Sequence, residues 1–190
     1  MVLGETMDQA EARTRLLDAA EQLFYERGIQ AVGVDQIRAA SGVSLKRLYQ
    51  VFPSKADLVL AYLRRRDTRW LASLADFAHA RPAGDERILA VFDWLHAWFA
   101  EPDFRGCAFI NAFGEIGASD PAAAEVVRAH KAALRDYLAG LLRQAGRPDG
   151  LLDPLFLIAE GAITTAAITG SPEVALRARE AAAALLATAA

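Results

Sequence analysis

The 190-residue chain has one cysteine, Cys107, and three histidines. A single thiol excludes an intramolecular disulfide framework and a Cys-rich zinc site, and His79, His96 and His130 are too scattered for metal-ligand spacing. The opening MVLGETMDQAEART has no basic flank followed by an apolar core, so no secretion signal is expected. No uncharged apolar run approaches the ~18 residues that cross a bilayer, which makes cytoplasm the expected compartment and a membrane partner unexpected. A nucleophile elbow, a phosphate-cradling glycine loop and suggestively spaced carboxylates are all missing. A hydrolase using Cys107 or Ser119 with a histidine therefore has no support, and no catalytic residue, metal or cofactor is expected. Acidic residues are also missing from one stretch: none occurs between Gln36 and Ala56.

What is present is hydrophobic, at 54% of residues, enough to bury a substantial core as one large or two small domains. The formal net charge of −3 conceals an uneven distribution. From Ala31 to Arg66 there are seven Lys or Arg against Asp35 and Asp57, whereas residues 67 to 190 carry 11 basic and 16 acidic side chains. A local basic patch in an acidic chain points to an anionic partner for that patch alone, so overall pI says little.

The patch has a structure of its own. Val34, Ile37 and Ala40 recur about one turn apart and share a helix face. Ser41-Gly42 stops that helix, since glycine accepts a left-handed backbone without steric cost. Val43 plugs the turn and Ser44 can N-cap a second helix. In that second helix Leu48 and Val51-Phe52 face the core, which leaves Lys46, Arg47, Tyr49 and Gln50 outward. Arg47 or Lys46 can reach guanine acceptors, Tyr49 a phosphate oxygen, and Leu45 a thymine methyl. Pro53 ends the helix, and Ser54 with Asp57 resembles a capping box for the next one. Lys55 then stands in a first helical turn, where free amides and the helix dipole favour a phosphate. Two helices joined by three or four residues match a helix-turn-helix unit that docks on double-stranded DNA.

The run ASGVSLKRLYQVFPSKADLV, preceded by LLDAAEQLFYERGIQAVGVDQI, resembles the N-terminal DNA-binding domain of the tetracycline-repressor (TetR) family over about residues 14 to 60. Members often have Gly-Thr where Lys46-Arg47 stand and Thr where Gly33 stands, so no relative's operator can be borrowed. The resemblance implies a DNA-contacting set of Gly33, Val34, Ser44, Leu45, Lys46, Arg47, Tyr49, Gln50 and Lys55. It also implies an all-α chain of about nine helices: a three-helix DNA-binding domain, residues 8–60, joined through a long fourth helix to a ligand-binding and dimerisation domain, residues 61–190.

The remaining periodicity is helical throughout. Leu16, Leu17, Ala20, Leu23 and Phe24 form a first stripe ended by Gly28; Leu58, Tyr62, Leu63, Trp70, Leu74 and Phe77 continue a long fourth helix toward Arg81-Pro82. Arg64-Arg65-Arg66, near the junction, reads as a solvated face or a DNA contact. Ile88 to Phe99 form a fifth helix, Asp120-Pro121 opens another that runs to Gly146, and two more follow, separated by Gly170-Ser171-Pro172. Aromatic residues crowd between Trp94 and Phe113, and such walls suit a small-molecule pocket as well as a core. FRGCAFINAFGEIGA, whose three glycines interrupt an apolar run, is similar to a segment in one branch of the family. There the pocket lies among the fourth to eighth helices, and Trp94, Trp98, Asn111, Phe113 and Glu115 are the candidates here for an unknown small-molecule effector. Cys107, beside Arg105, reads as a buried small hydrophobe or as a sensor of oxidants and electrophiles. The last two helices present Leu155, Ala159, Ala162, Ile163, Ala166 and Leu176. That pattern serves an internal core, while the resemblance implies a four-helix interface with a second copy of the chain. The expected function is thus a ligand-responsive regulator, a repressor, with a redox sensor or a ligand-binding protein with a vestigial DNA domain as alternatives.

Overall fold

The computed structural model describes residues 8–188, and among these residues there are nine α-helices and no strand. They are α1 (Gln9–Arg27), α2 (Val34–Ser41), α3 (Leu45–Val51), α4 (Lys55–His79), α5 (Asp85–Phe99), α6 (Ala108–Ile116), α7 (Pro121–Gln144), α8 (Leu152–Thr169) and α9 (Val174–Thr188), with one 3-10 turn at Asp149–Leu151. Backbone contacts group the residues through Arg66 with Asn111–Val127, and Asp67–Ile110 with the residues from Arg128 onward. The division falls inside α4, α6 and α7, so each of these helices continues from one unit into the other.

In the first unit α1 packs on α2 and α3. Its apolar stripe buries Ala12, Leu16, Leu17, Ala20, Leu23 and Phe24, and Asp8 caps its first amide. Ile37 and Leu48, one from each short helix, are fully buried against it, with Val43 filling the turn between them. The expected core face of α2 is narrower than the spacing suggested: Ile37 is buried and Val34 half-buried, but Ala40 is exposed. A helix of two turns that meets its neighbours at one edge needs only a single deep anchor. Of Arg64-Arg65-Arg66, Arg64 is exposed, whereas Arg65 and Arg66 are half-buried. Arg65 pairs with Asp18 at 2.8 Å and Glu21 at 2.6 Å, and Arg66 bonds Glu21 at 3.3 Å while its guanidinium covers the Tyr25 ring at 3.9 Å. These pairs tie the middle of α4 to α1.

In the second unit α5, α8 and α9 pack on one another. Ile88, Phe92 and Leu95 from α5 meet a core to which α8 gives Leu155, Ala159, Ala162, Ile163 and Ala166 and α9 gives Ala175, Ala178 and Ala182. Small residues on α8 and α9 let the helix axes approach closely. Bidentate pairing of Arg147 with Asp85 (2.8 and 2.5 Å) closes the segment after α7 onto the start of α5, and Arg179 joins Asp93 at 2.8 Å. Asp149–Thr169 is long and apolar enough to cross a membrane, with a mean hydropathy of 1.6. It nevertheless carries Asp153 and a Glu160 paired with Lys131 at 2.6 Å, and its inner stripe is spent on α5 and α9.

Candidate nucleic-acid interface

The turn between α2 and α3 is built from local chemistry. Gly42 takes φ 67°, ψ 11° and donates its N–H to the Arg38 carbonyl, closing α2 in the left-handed conformation that disfavours any side chain. Ser44 then accepts the Arg47 amide at 3.3 Å and opens α3. At the other end, Asp57 N–H donates to Ser54 Oγ at 3.1 Å and the Ser54 hydroxyl donates to the Asp57 carboxylate at 2.7 Å, so the capping pair before α4 is reciprocal through side chains. The start of α2 is fixed the opposite way, with the Gly33 N–H donating to the Gln36 side chain at 2.8 Å.

These caps decide what α3 shows. Leu48 is 1% exposed and Val51 half-buried, which turns the opposite face outward: Leu45 is 43% and Tyr49 47% exposed, and Lys46 and Gln50 are exposed with them. Arg47 is half-buried, and its guanidinium donates to Gln50 Oε1 at 3.3 Å, so these two candidates share a rim of the helix. Gly33 and Ser44 are exposed and Val34 half-buried at the edges of the same surface. The planar and cationic donors of this surface match phosphate oxygens and base edges.

Lys55 sits differently from the others. It is the first residue of α4, as its sequence context implies, but its Nζ donates to the Ile29 carbonyl at 2.7 Å and lies 5.9 Å from the Phe24 ring centre. Burial lowers its pKa, against the opposing pull of the Glu115 carboxylate. It lines a recess of about 310 Å3 with Ile29, Gln30, Ala56, Val59, Ile116, Ser119 and Asp120.

The five effector candidates divide between the units. Trp94 and Trp98, in the second unit, are buried within a ring cluster: they stack with centroids 5.5 Å apart, Trp70 meets both edge-on at 4.9 and 5.6 Å, and Phe104 abuts Trp98. Trp94 donates its indole N–H to Ser73 at 3.2 Å. His130, one of three histidines scattered in the sequence, is fully buried, stacks on Phe109 at 3.6 Å and bonds Asp67 at 2.7 Å beside the same cluster. Asn111, Phe113 and Glu115 belong to the first unit. Phe113 is 51% exposed, while Glu115 accepts the Gln30 backbone N–H at 2.9 Å. Gln30 carried no signal in the sequence, because its partner lies 85 residues away. Cys107 is buried, and its neighbour is the Lys131 ammonium at 3.4 Å; Arg105 turns back to the Phe104 carbonyl.

Of the six expected interface residues on α8 and α9, Leu155, Ala159, Ala162, Ile163 and Ala166 are buried within the chain, and Leu176 is exposed. Helical periodicity shows which residues share a face and is silent on what that face meets. The exposed large apolar side chains of α8 are Leu157, at 66%, and Ile168, at 80%; Leu157 lines a shallow groove with Pro154, Ile158, Ala181, Ala184 and Leu185.

A helix-turn-helix with a capped, cationic, outward-facing second helix, followed by an all-helical unit, defines a DNA-binding protein of the bacterial regulator type. Residues 16–62 match the model of bacterial regulatory proteins of the tetR family, and residues 84–182 match the tetracyclin repressor-like C-terminal domain. The chain belongs to the tetR family. It is 30% identical over 139 residues to the transcriptional activator FasR of Mycolicibacterium smegmatis, covering 73% of this chain and 62% of FasR. Over 60 residues it is 42% identical to the transcriptional repressor KstR2 of Rhodococcus jostii, covering 32% of this chain and 29% of that protein. A crystal structure of a TetR-family transcriptional regulator from Streptomyces coelicolor superposes with a TM-score of 0.85 at 34% identity, covering 94% of this chain and 90% of that one. The chain thus spans under two thirds of the length of the two curated relatives.

Proposed function

We propose that the chain is a ligand-responsive transcriptional regulator, a repressor, that binds a palindromic operator as a homodimer in the cytoplasm and is released by a small apolar or aromatic molecule. DNA reading is assigned to residues 8–60, and effector binding and dimerisation to residues 61–190. The observation that carries this reading is the outward face of α3, where Leu45, Lys46, Arg47, Tyr49 and Gln50 stand opposite a buried Leu48. Two-fold symmetry would set two such helices about 34 Å apart, in successive major grooves. Trp94 and Trp98, with Ser73 and His130 as nearby polar groups, are the proposed walls of the effector site. An effector that favours one setting of the continuous helix α4 would shift the population able to bind DNA. The sign of regulation is taken as repression, the sense of the repressor KstR2 and against that of the activator FasR.

Selection of bound duplexes from a random oligonucleotide pool tests this directly. An inverted repeat with half-sites one helical turn apart, or a multiple of it, is expected. Recovery of no enriched sequence, together with binding that follows phosphate charge alone, would remove the sequence-specific role. Occupancy of the recovered site upstream of a reporter should lower its transcript, and a rise would make the protein an activator.

A second reading is favoured by one contact, the Lys131 ammonium 3.4 Å from the Cys107 sulfur. Attack of the Cys107 sulfur, as thiolate, on hydrogen peroxide would give sulfenic acid and hydroxide. If oxidation is the signal, peroxide should release wild-type protein from its selected duplex and leave Cys107→Ser bound. Equal behaviour of the two proteins would dismiss this reading.

A further inference from the structure

Three connections converge on the turn between α1 and α2. The Gln30 backbone N–H donates to the Glu115 carboxylate at 2.9 Å, and the Gln30 side-chain amide also donates, to the Glu115 backbone carbonyl oxygen. On the other flank the Lys55 ammonium donates to the Ile29 carbonyl at 2.7 Å. Gly28, at φ 90°, lets the carboxylate approach: a Cβ there would stand 3.0 Å from Glu115 Oε2. Ile29, between these bonds, is buried.

The turn is therefore gripped between an anion on α6 and a cation on α4, with the electrostatic attraction of Lys55 to Glu115 acting across it. Its position in the chain gives the grip its meaning. Residues 28 to 30 lead into α2, and Lys55 begins α4 directly after α3, so the two gripped points bracket the α2–α3 pair at its entry and its exit. Helix α3 has only seven residues and buries a single side chain fully, Leu48, so its own packing fixes its angle weakly. A short reading helix must be oriented by what flanks it, because base-edge hydrogen bonds tolerate little displacement.

We infer that Glu115 is a positioning residue for DNA recognition: its two-point acceptance of the Gln30 backbone and side-chain N–H groups, acting with the Lys55 bond to Ile29, holds the α2–α3 pair at the angle at which α3 reads DNA. The inference rests on the DNA-binding reading above. It moves Glu115 from the effector candidates to the reading unit, with which Asn111–Val127 also groups.

The test uses the full chain, with wild type, Glu115→Gln and Glu115→Ala titrated against a duplex selected by wild type and against a scrambled duplex. Glu115→Ala removes the carboxylate that accepts the Gln30 backbone N–H, while the backbone carbonyl at 115 remains, and should weaken the selected duplex by about tenfold, the equivalent of one charge-assisted hydrogen bond. Glu115→Gln keeps an acceptor oxygen and should recover most of that loss. Binding to the scrambled duplex should change less than twofold in each, because Glu115 meets no phosphate. Amide hydrogen exchange at Gln30 should accelerate in Glu115→Ala, while the exchange of the Leu16–Leu23 amides inside α1 stays at the wild-type rate. A merely structural role would speed exchange throughout α1 and weaken both duplexes alike, and that pattern overturns the inference. So does an unchanged Kd for the selected duplex in Glu115→Ala. If wild type binds no duplex, the DNA-binding reading itself fails, whereas the exchange comparison still reports whether Glu115 holds the turn.

Discussion

Arg47 and Lys55 are both cations of the candidate interface, and their surroundings assign them different work. Arg47 stands on the outward rim of α3, its guanidinium oriented by Gln50, in a position to meet a base edge. Arg47→Ala should cost roughly 1–3 kcal/mol on the selected duplex and relax preference at one base position. Equal losses on selected and scrambled duplexes would refute base reading. Lys55 is half-buried and already holds the Ile29 carbonyl, so a phosphate would have to share its ammonium. By releasing Ile29, Lys55→Ala should weaken the selected duplex more than a scrambled one, and it should lower the magnitude of the salt slope on both by about 1 if Lys55 also meets a phosphate. An unaltered slope would leave Lys55 with its structural bond alone.

At the scale of the element, α3 is short enough that its cap matters more than its propensity. Isolated helices of this length are marginal in water, and α3 survives through one buried leucine and the Ser44 cap. Ser44→Ala should cost about 0.5–2 kcal/mol of stability, read by urea denaturation, with a matching loss of DNA affinity from fraying of the first turn. Ser44→Asp, which keeps an acceptor, should restore stability but not affinity, since it adds an anion facing phosphates. Helix α8 raises the opposite issue. Its inner stripe is complete, and the outer side chains Leu157 and Ile168 stand in solvent. Exposed leucine and isoleucine on one helix, the leucine lining an apolar groove, are what a second copy of the chain would cover.

For the whole molecule, that outer face predicts the oligomeric state. Leu157→Glu leaves the fold intact, because the side chain is 66% exposed, and should convert a dimer to a monomer in sedimentation equilibrium. DNA affinity should fall with it as the second reading head is lost. An unchanged dimer would place the interface elsewhere. Stability at low pH belongs to this scale too. The Arg147 hydrogen bond, reinforced by its charge, holds the Asp85 carboxyl below the ordinary carboxylate range. Because the folded-state pKa is the lower one, the pair contributes fully above the unfolded value near 4, and that contribution is lost as pH falls through the depressed value. Wild type should therefore exceed Asp85→Asn in urea stability at neutral pH, with the gap closing below about pH 4.

The sequence alone determined the features that local chemistry settles. Gly42, Ser44, Pro53 and the Ser54–Asp57 pair each act on partners no more than four residues away, so the turn, the caps and the outward set on α3 were legible, as was the helical character of the rest. What only the tertiary structure decided are pairings between distant residues, which leave no periodic trace. Glu115 reaches Gln30 across 85 residues, and Arg65 reaches Asp18 across 47. The same limit explains α8: spacing placed Leu155, Ala159, Ala162, Ile163 and Ala166 on one face, but only packing against α5 and α9 made that face the inside. A helix repeats its geometry every few residues and so writes its face into the sequence, whereas the identity of the surface opposite depends on how the rest of the chain folds.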